Sequence, residues 1–191
     1  MSGQSKIRAF VAVHLPQMVK AELALVNDLL AGQVPAGSVR WVQPDLLHLT
    51  LRFLGETAVA DLPTLMTTLD DVAAQHAPFT LHLDNLGCFP NRSRPRVLWV
   101  GLAGAVTAVQ NLQADVETAV TALGWPRENK PFRVHLTLGR VKDGRLLQNV
   151  AWGAEVKKLA APVTAVHLVE SQLHPSGPVY TVRHTSQLRQ P

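Results

Sequence analysis

The sequence predicts an α+β fold. We expect a bilobal pseudo-two-fold duplication in which each lobe is an antiparallel-type sheet with helices on the outside, and an active-site cleft between the lobes. Two observations predict this. The tetrapeptide His-Leu-Thr-Leu at residues 48–51 recurs word for word at residues 135–138, 87 positions later. Strand-like alternation and helix-like spacing of apolar residues recur in the same order around both copies.

The repeat extends beyond the tetrapeptide. Two further pairs of segments recur at offsets of 88 and 85: residues 8–13 with 96–101, and residues 80–83 with 165–168. Landmarks that recur in one order at nearly one spacing indicate a duplicated unit. We therefore expect residues 1–191 to form a single domain made of two pseudo-repeats, at about 7–95 and 96–184.

The elements of each copy follow one order. A strand opens the copy, and a helix with apolar residues three and four apart follows it. Then come the tetrapeptide strand, a second helix and a closing strand. In the first copy these elements are expected at 7–15, 19–30, 47–54, 58–75 and 79–86, and in the second at 96–102, 106–120, 132–141, 144–159 and 163–168. Turn residues at 175–178 precede a last strand at 179–183.

The composition is that of a globular protein, with 47% hydrophobic and 17% charged residues. A net charge of +4 is compatible with a polyanionic ligand but does not require one. Cys88 is the single cysteine, which excludes an intrachain disulfide and a cysteine metal cluster. The apolar run at 7–15 is too short and too polar for a signal peptide, and no run is long enough to span a membrane. We expect a cytoplasmic monomer without a membrane partner.

The repeated tetrapeptide places polar groups on one side of a strand. Because side chains alternate along a strand, His48 and Thr50 point the same way, and so do His135 and Thr137. If the lobes pack about a two-fold axis, the two His-Thr pairs face each other across a cleft. A phosphate held there would have an imidazole at each end and hydroxyl donors on both sides.

This layout suits phosphoester cleavage by acid–base catalysis. One neutral histidine would accept a proton from the attacking water, and one protonated histidine would donate to the departing ribose oxygen. Histidine is suited to both tasks because its unperturbed pKa is near 6.5. Identical motifs leave open which histidine is the acid. The threonines would donate hydrogen bonds to phosphate oxygens.

Two simpler interpretations compete with this one. A single H-x-T triplet carries little weight in a chain with 8 histidines, and the loose triplet at 184–186 is interpreted as surface. Two strand histidines could ligate zinc, but a catalytic zinc site usually has three protein ligands, and the tetrapeptides contain no Asp or Glu. We therefore predict no metal and no other cofactor.

At these motifs the chain resembles the 2H phosphoesterases, named for two H-x-T/S-x motifs. Within them it is similar to the bacterial and archaeal RNA 2′,3′-cyclic phosphodiesterases, also called 2′-5′ RNA ligases. The similarity covers nearly the whole chain and rests on RAFVAVHLP at 8–16, HLTLRFLGE at 48–56, PRVLW at 95–99, FRVHLTLGR at 132–140 and the hairpin at 170–180. Val134 departs from the family, which often has proline there.

The resemblance implies metal-independent hydrolysis of RNA 2′,3′-cyclic phosphate ends to 2′-phosphomonoesters. It also implies that His48 is the proton donor and His135 the acceptor, and that 2′-5′ ligation is the reverse reaction. The expected partner is RNA with such ends, with tRNA fragments among the candidates. Three alternatives remain open: a non-catalytic module that binds RNA phosphate ends, and a phosphodiesterase acting on small cyclic nucleotides or on 2′-5′ oligonucleotides.

Some further residues have two interpretations each. Arg52 lies four positions after His48, so a regular strand places it on the His48 face, where it either holds phosphate or is a solvated charge. Arg140 reaches phosphate only if a bulge or strand end turns it inward, which Gly139 would allow. Phe10 either stacks on a base or packs in the core. The remaining histidines of the repeat and the tryptophans are interpreted as structural: His82, His167, Trp41, Trp99, Trp125 and Trp152.

Overall fold

The computed structural model describes residues 5–147, 152, 155–175 and 177–189. The described elements are, in chain order, β1 (Lys6–His14), α1 (Gln17–Ala31), β2 (Val39–Trp41), β3 (His48–Ala58), α2 (Leu62–Ala73), β4 (Phe79–Phe89), β5 (Val97–Gly104), α3 (Val106–Ala122), β6 (His135–Val141), β7 (Ala160–Val163), β8 (Ala165–His174) and β9 (Gly177–Gln187). None of the helices in these ranges is long and apolar enough to cross a membrane.

The strands form two antiparallel sheets, as the sequence predicted. Sheet A has the order β3-β1-β8-β9, and sheet B has the order β2-β6-β5-β4-β7. The two tetrapeptide strands have equivalent neighbours. In sheet A, His48 pairs with His14, and in sheet B, His135 pairs with Gly101. The same spacing separates the two histidines and their two partners, as expected for a duplicated plan.

The closing strands are exchanged between the two predicted repeats. Strand β4 comes from the first repeat but pairs with β5 in sheet B, whereas β8 comes from the second repeat and pairs with β1 in sheet A. Each sheet is therefore assembled from both halves of the chain, and neither repeat forms a lobe by itself. That residues 1–191 arose as two copies of one unit remains our proposal.

The helices cover the faces of the sheets that lie away from the repeated histidines. On β1, alternate residues such as Val11 and Val13 belong to the main core, whereas Phe10 and Ala12 belong to a separate small cluster on the other face. Glu117 of α3 pairs with a residue of β3, and α2 also contacts sheet A, through β8 and β9. The predicted α+β architecture with outer helices is confirmed.

The structure differs from the expected elements in two places. Where a helix was expected at 144–159, the described residues contain a 3-10 turn at Gly144–Leu147 and no helix over 155–159, and residues 148–151 and 153–154 lie outside the described residues. The three-residue strand β2 was not predicted. It pairs with β6 through Trp41 and Gly139, where a Cβ atom on the glycine would come within 2.7 Å of Val39. The glycine therefore permits close packing of β2 on β6.

Candidate active site

The two tetrapeptide strands lie where sheet A contacts sheet B. Strand β3, at the edge of sheet A, contacts β6 of sheet B. On β3, Thr50 pairs with Ala12, and on β6, Thr137 pairs with Trp99. Paired residues of an antiparallel ladder share a face. Each histidine therefore shares a face with the threonine two positions later, on a half-buried surface.

His48 and His135 make the same backbone hydrogen bond. The Nδ1 atom of His48 donates to the carbonyl of Leu46 at 2.7 Å, and that of His135 donates to the carbonyl of Arg133 at 2.6 Å. Because a carbonyl only accepts, each Nδ1 must carry the proton. Nε2 is then the atom that gains or loses a proton when the ring titrates.

Aromatic rings surround both imidazoles, but the two sets differ. The ring of Phe10 stacks on His48 with centroids 4.8 Å apart, and Tyr180 meets His48 edge-on at 5.5 Å. Around His135, Phe89 lies edge-on at 5.1 Å. Trp99 lies further away, with its centroid 6.4 Å from that of His135. These rings pack against the imidazoles and restrict their orientation.

Burial lowers the pKa of both imidazoles. For His48, burial is the largest cause and the positive charges of His14 and Lys20 add to it, so the pKa falls to about 4 although the bond to Leu46 opposes the fall. For His135, burial again comes first, and the positive charges of Arg140 and Arg133 lower the pKa further. In the free protein both rings are therefore neutral near pH 7, and a bound phosphate anion would favour their charged forms.

Arg52 is not on the face of His48, so that expectation is wrong. The register of β3 shifts at Leu51, and Arg52 consequently pairs with Val11 on the core face. Its side chain is 6% exposed and forms an ion pair with Glu117 of α3 at 2.6 Å. It also donates to the backbone carbonyl of Pro126. A buried arginine held by these partners has no donor facing the site, and its function is structural.

Arg140 does lie on the face of His135. A register shift at Leu138 makes Arg140 the partner of Val97, two positions before Trp99 on the same side of β5. Its charge acts on two groups, lowering the pKa of His135 and opposing the rise that burial causes in the pKa of Tyr180. Tyr180 belongs to sheet A, so Arg140 links the two sheets electrostatically.

Phe10 lies on the predicted face but is buried. Only 3% of it is exposed, and it packs against His48 and Tyr180. A ring with no free face cannot stack on a base, so the expected base-stacking role is corrected to support of the His48 ring.

Four residues beside the histidines were not assigned to the site from the sequence. They are His14, Lys20, Phe89 and Tyr180. His14 follows Phe10 and Ala12 in the alternation of β1, so the sequence alone places it on the same face as these two residues. Its pairing with His48 depends on a long-range register that alternation alone does not give.

The arrangement is suited to holding an anion and moving protons around it. Two neutral imidazoles, two hydroxyls and one arginine share the site faces of β3 and β6. Among the described residues, no three His, Cys, Asp or Glu side chains converge in a way that could hold a metal ion.

Comparison with known proteins identifies the family of this chain. A sequence model of the family described as "LigT like Phosphoesterase" matches residues 13–99 and 100–180, which together include both tetrapeptides. The chain belongs to this family. The matched family is therefore the class of phosphoesterases that the sequence resemblance implied.

Relatives and solved structures of the LigT-like phosphoesterases cover nearly the whole chain. The RNA 2′,3′-cyclic phosphodiesterase of Thermus thermophilus is 38% identical over 96% of this chain and 91% of its own length. That of Methanothermobacter thermautotrophicus is 31% identical, over 92% and 96%. A crystal structure of a Thermus thermophilus protein superposes with a TM-score of 0.80 at 34% identity, covering 96% of this chain and 98% of its own. Escherichia coli LigT complexed with 3′-AMP gives 0.79 at 27% identity, covering 97% and 100%.

Proposed function

We propose that this LigT-like phosphoesterase opens 2′,3′-cyclic phosphate ends of RNA to 2′-phosphomonoesters. The observation that carries the proposal is the matched setting of His48 and His135. Each ring donates Nδ1–H to a backbone carbonyl and keeps Nε2 for proton transfer. The relatives named RNA 2′,3′-cyclic phosphodiesterase support the choice of substrate.

The proposed reaction needs two proton transfers. Nε2 of a neutral histidine accepts a proton from water, and the resulting oxygen attacks phosphorus in line with the bond to the ribose 3′ oxygen. As that bond breaks, the Nε2 proton of the other histidine passes to the 3′ oxygen. Following the family resemblance, we assign His135 as acceptor and His48 as donor. With an RNA 5′ hydroxyl in place of water, the same steps with the same base and acid would join two RNA ends through a 2′-5′ linkage, and the two histidines would exchange roles only when that linkage is cleaved again.

We propose that Thr50, Thr137 and Arg140 hold the phosphate. The hydroxyls can donate to the non-bridging oxygens, and the guanidinium can neutralise charge that builds up as phosphorus is attacked. Each of these donors lies on the same face as its histidine. In this proposal the residues of the chain supply the acid, the base and the phosphate donors, and no cofactor is required. We propose a cytoplasmic monomer.

A product analysis tests the function. An RNA oligonucleotide ending in a 2′,3′-cyclic phosphate is incubated with the protein, and the phosphomonoester is identified by enzymes specific for 2′ or 3′ phosphate. We expect a 2′-phosphate, and we expect almost none from His48→Ala or His135→Ala. Binding of the oligonucleotide without turnover by the wild-type protein would instead indicate a non-catalytic module that binds phosphate ends.

A further inference from the structure

A row of polar side chains begins at His48 and crosses all four strands of sheet A. His14 is the cross-strand partner of His48, and its ring stacks on that of His167 with centroids 4.0 Å apart. His167 pairs with Thr185, whose Oγ1 lies 3.1 Å from the His167 Nδ1 atom. His14 and Thr185 are exposed. Three strand spacings of about 4.8 Å give the row a length of ~14 Å. The row is therefore an accessible surface leading away from the candidate active site.

A small cavity adjoins this row, and a lysine side chain lines it. Its volume is about 210 Å³, and its walls include His14, His48, Lys20 and Asp45. The Lys20 ammonium group donates to the backbone carbonyl of Asp45 at 3.0 Å. A lysine has three N–H donors, so two remain for a ligand. In the described part of the chain, no carboxylate lies within ion-pair distance of Lys20.

The charge of Lys20 acts on the two imidazoles at this end of the row. Burial is the main reason that the pKa values of His14 and His48 are lowered, and the charge of Lys20 lowers both further. Asp45 is the single acidic residue among those lining the cavity.

Sheet B has a different surface at the equivalent positions. Gly101 is the partner of His135, and Gly87 is the partner of Trp99, so glycines stand where sheet A has His14 and His167. The Trp99 ring lies so close to Gly87 that a Cβ atom there would meet it at 2.2 Å. Sheet A therefore presents a polar, cationic wall and sheet B an aromatic wall. This asymmetry favours one direction of substrate binding over the other.

We propose that Lys20 and His14, with the row through His167 and Thr185, bind a second phosphate of the RNA. This is the internucleotide phosphate next to the cyclic phosphate end. The inference rests on the proposed function and adds to it a preference for oligonucleotide ends over cyclic mononucleotides. Lys20 contributes charge and donors to this phosphate, and the imidazole row lines the path of the chain across sheet A.

Three substrates separate the contribution of the internucleotide phosphate charge from that of the added nucleotide. The first is a 2′,3′-cyclic mononucleotide, the second a dinucleotide ending in a cyclic phosphate, and the third the same dinucleotide with a neutral methylphosphonate linkage. For the wild-type protein we expect kcat/KM to be about tenfold higher for the phosphodiester dinucleotide than for its methylphosphonate analogue, because one charge-assisted hydrogen bond is lost. Added salt should reduce that ratio, since it screens the phosphate charge.

Variants then assign the contact. Lys20→Met should bring the ratio of the two linkages close to one, whereas His14→Ala should lower the ratio by less, because Lys20 still supplies the charge. Taking the ratio within each variant removes any loss that is common to both substrates. Lys6→Met is the matched control, because Lys6 is an exposed lysine at the opposite end of β1, and it should keep the wild-type ratio.

Each other outcome overturns the inference in its own way. Equal kcat/KM for all three substrates would refute the second phosphate site and leave the proposed function standing. Dinucleotides that both exceed the mononucleotide, with no effect of the linkage charge, would indicate contact with a base or sugar instead. A wild-type protein that turns over none of the three would refute the proposed function, and the inference with it.

Discussion

His48 and His135 lie on different sheets, yet each donates its Nδ1 proton to the backbone carbonyl of the residue two positions earlier. This shared bond makes the local geometry of the two rings equivalent. Their surroundings are not equivalent, since His48 is packed by Phe10 and Tyr180 while His135 faces Phe89. Equivalent geometry in unequal environments allows one ring to act as the acid and the other as the base.

Removal of either imidazole should nearly abolish turnover. We expect His48→Ala and His135→Ala each to lower kcat by on the order of 10²–10⁴, the usual contribution of one positioned proton transfer. The double variant should be far less than multiplicatively worse, because the two groups act in one step. The measurement is single-turnover hydrolysis of a 2′,3′-cyclic phosphate end.

The loose triplet at 184–186 provides the control. His184 bonds to Asp70 of α2 at 2.8 Å, on the helix-covered side of sheet A. His184→Ala should therefore retain kcat. A near-normal rate for His48→Ala or His135→Ala would remove that residue from the mechanism.

The threonine hydroxyls should matter less than the imidazoles. Thr50→Ala and Thr137→Ala each remove one of several donors to the phosphate, so we expect a loss of about tenfold in kcat/KM, the value of one hydrogen bond to a charged group. Thr50→Ser and Thr137→Ser keep the hydroxyl and should recover most of it. A threonine-to-alanine variant as inactive as His48→Ala, with an unchanged circular dichroism spectrum, would contradict this division of roles.

Chelation should leave hydrolysis unchanged. In the proposed reaction the acid, the base and the phosphate donors are all side chains, so no step requires a metal ion. The test compares rates before and after dialysis against excess EDTA. Loss of activity that Zn²⁺ or Mg²⁺ restores would contradict the two-histidine mechanism.

Removing one partner of the buried ion pair between Arg52 and Glu117 should destabilise the fold more than replacing both partners. Glu117→Gln leaves the Arg52 charge buried without its partner, and we expect the free energy of unfolding to fall by about 3–5 kcal/mol. Replacing both residues by Met and Leu should recover much of this loss. Urea unfolding with an unchanged m value is the measurement. Asp143→Asn breaks the exposed pair with Arg145 and should leave the midpoint in place.

The sequence predicted the parts of the site that depend on local alternation. His48 with Thr50, and His135 with Thr137, needed only the two-residue period of a strand. Arg52 could not be placed, because the register shift at Leu51 has no sequence signal and turns the side chains that follow it over, until a second shift at Leu54 reverses it.

The long-range pairing of strands could not be predicted from the sequence either. The repeats indicated which strands correspond to one another, but not that β4 and β8 would exchange sheets. Local patterns specify the type and faces of a strand, whereas its neighbours are selected by packing of the whole chain. The same limit hid the proximity of His14 to His48.

The pH dependence of the reaction follows from burial of the two histidines. Below both pKa values no base is available, so kcat/KM should rise as the base histidine loses its proton and fall as the acid histidine loses its own. In the free protein the pKa of His48 is lowered to about 4, and that of His135 is lowered as well. The maximum of kcat/KM should therefore lie below pH 6.5.

Bound substrate should move this profile. A phosphate anion between the rings favours the imidazolium forms and raises both pKa values, so the maximum of kcat should lie at higher pH than that of kcat/KM. Both parameters are measured between about pH 4 and 9 with a cyclic phosphodiester, which keeps its single charge across that range. The limbs belong to the coupled pair, so His135→Ala, measured on its residual activity, identifies which limb disappears. Coincident kcat and kcat/KM profiles, or a kcat/KM maximum above pH 7, would show that these buried imidazoles do not carry the proton transfers.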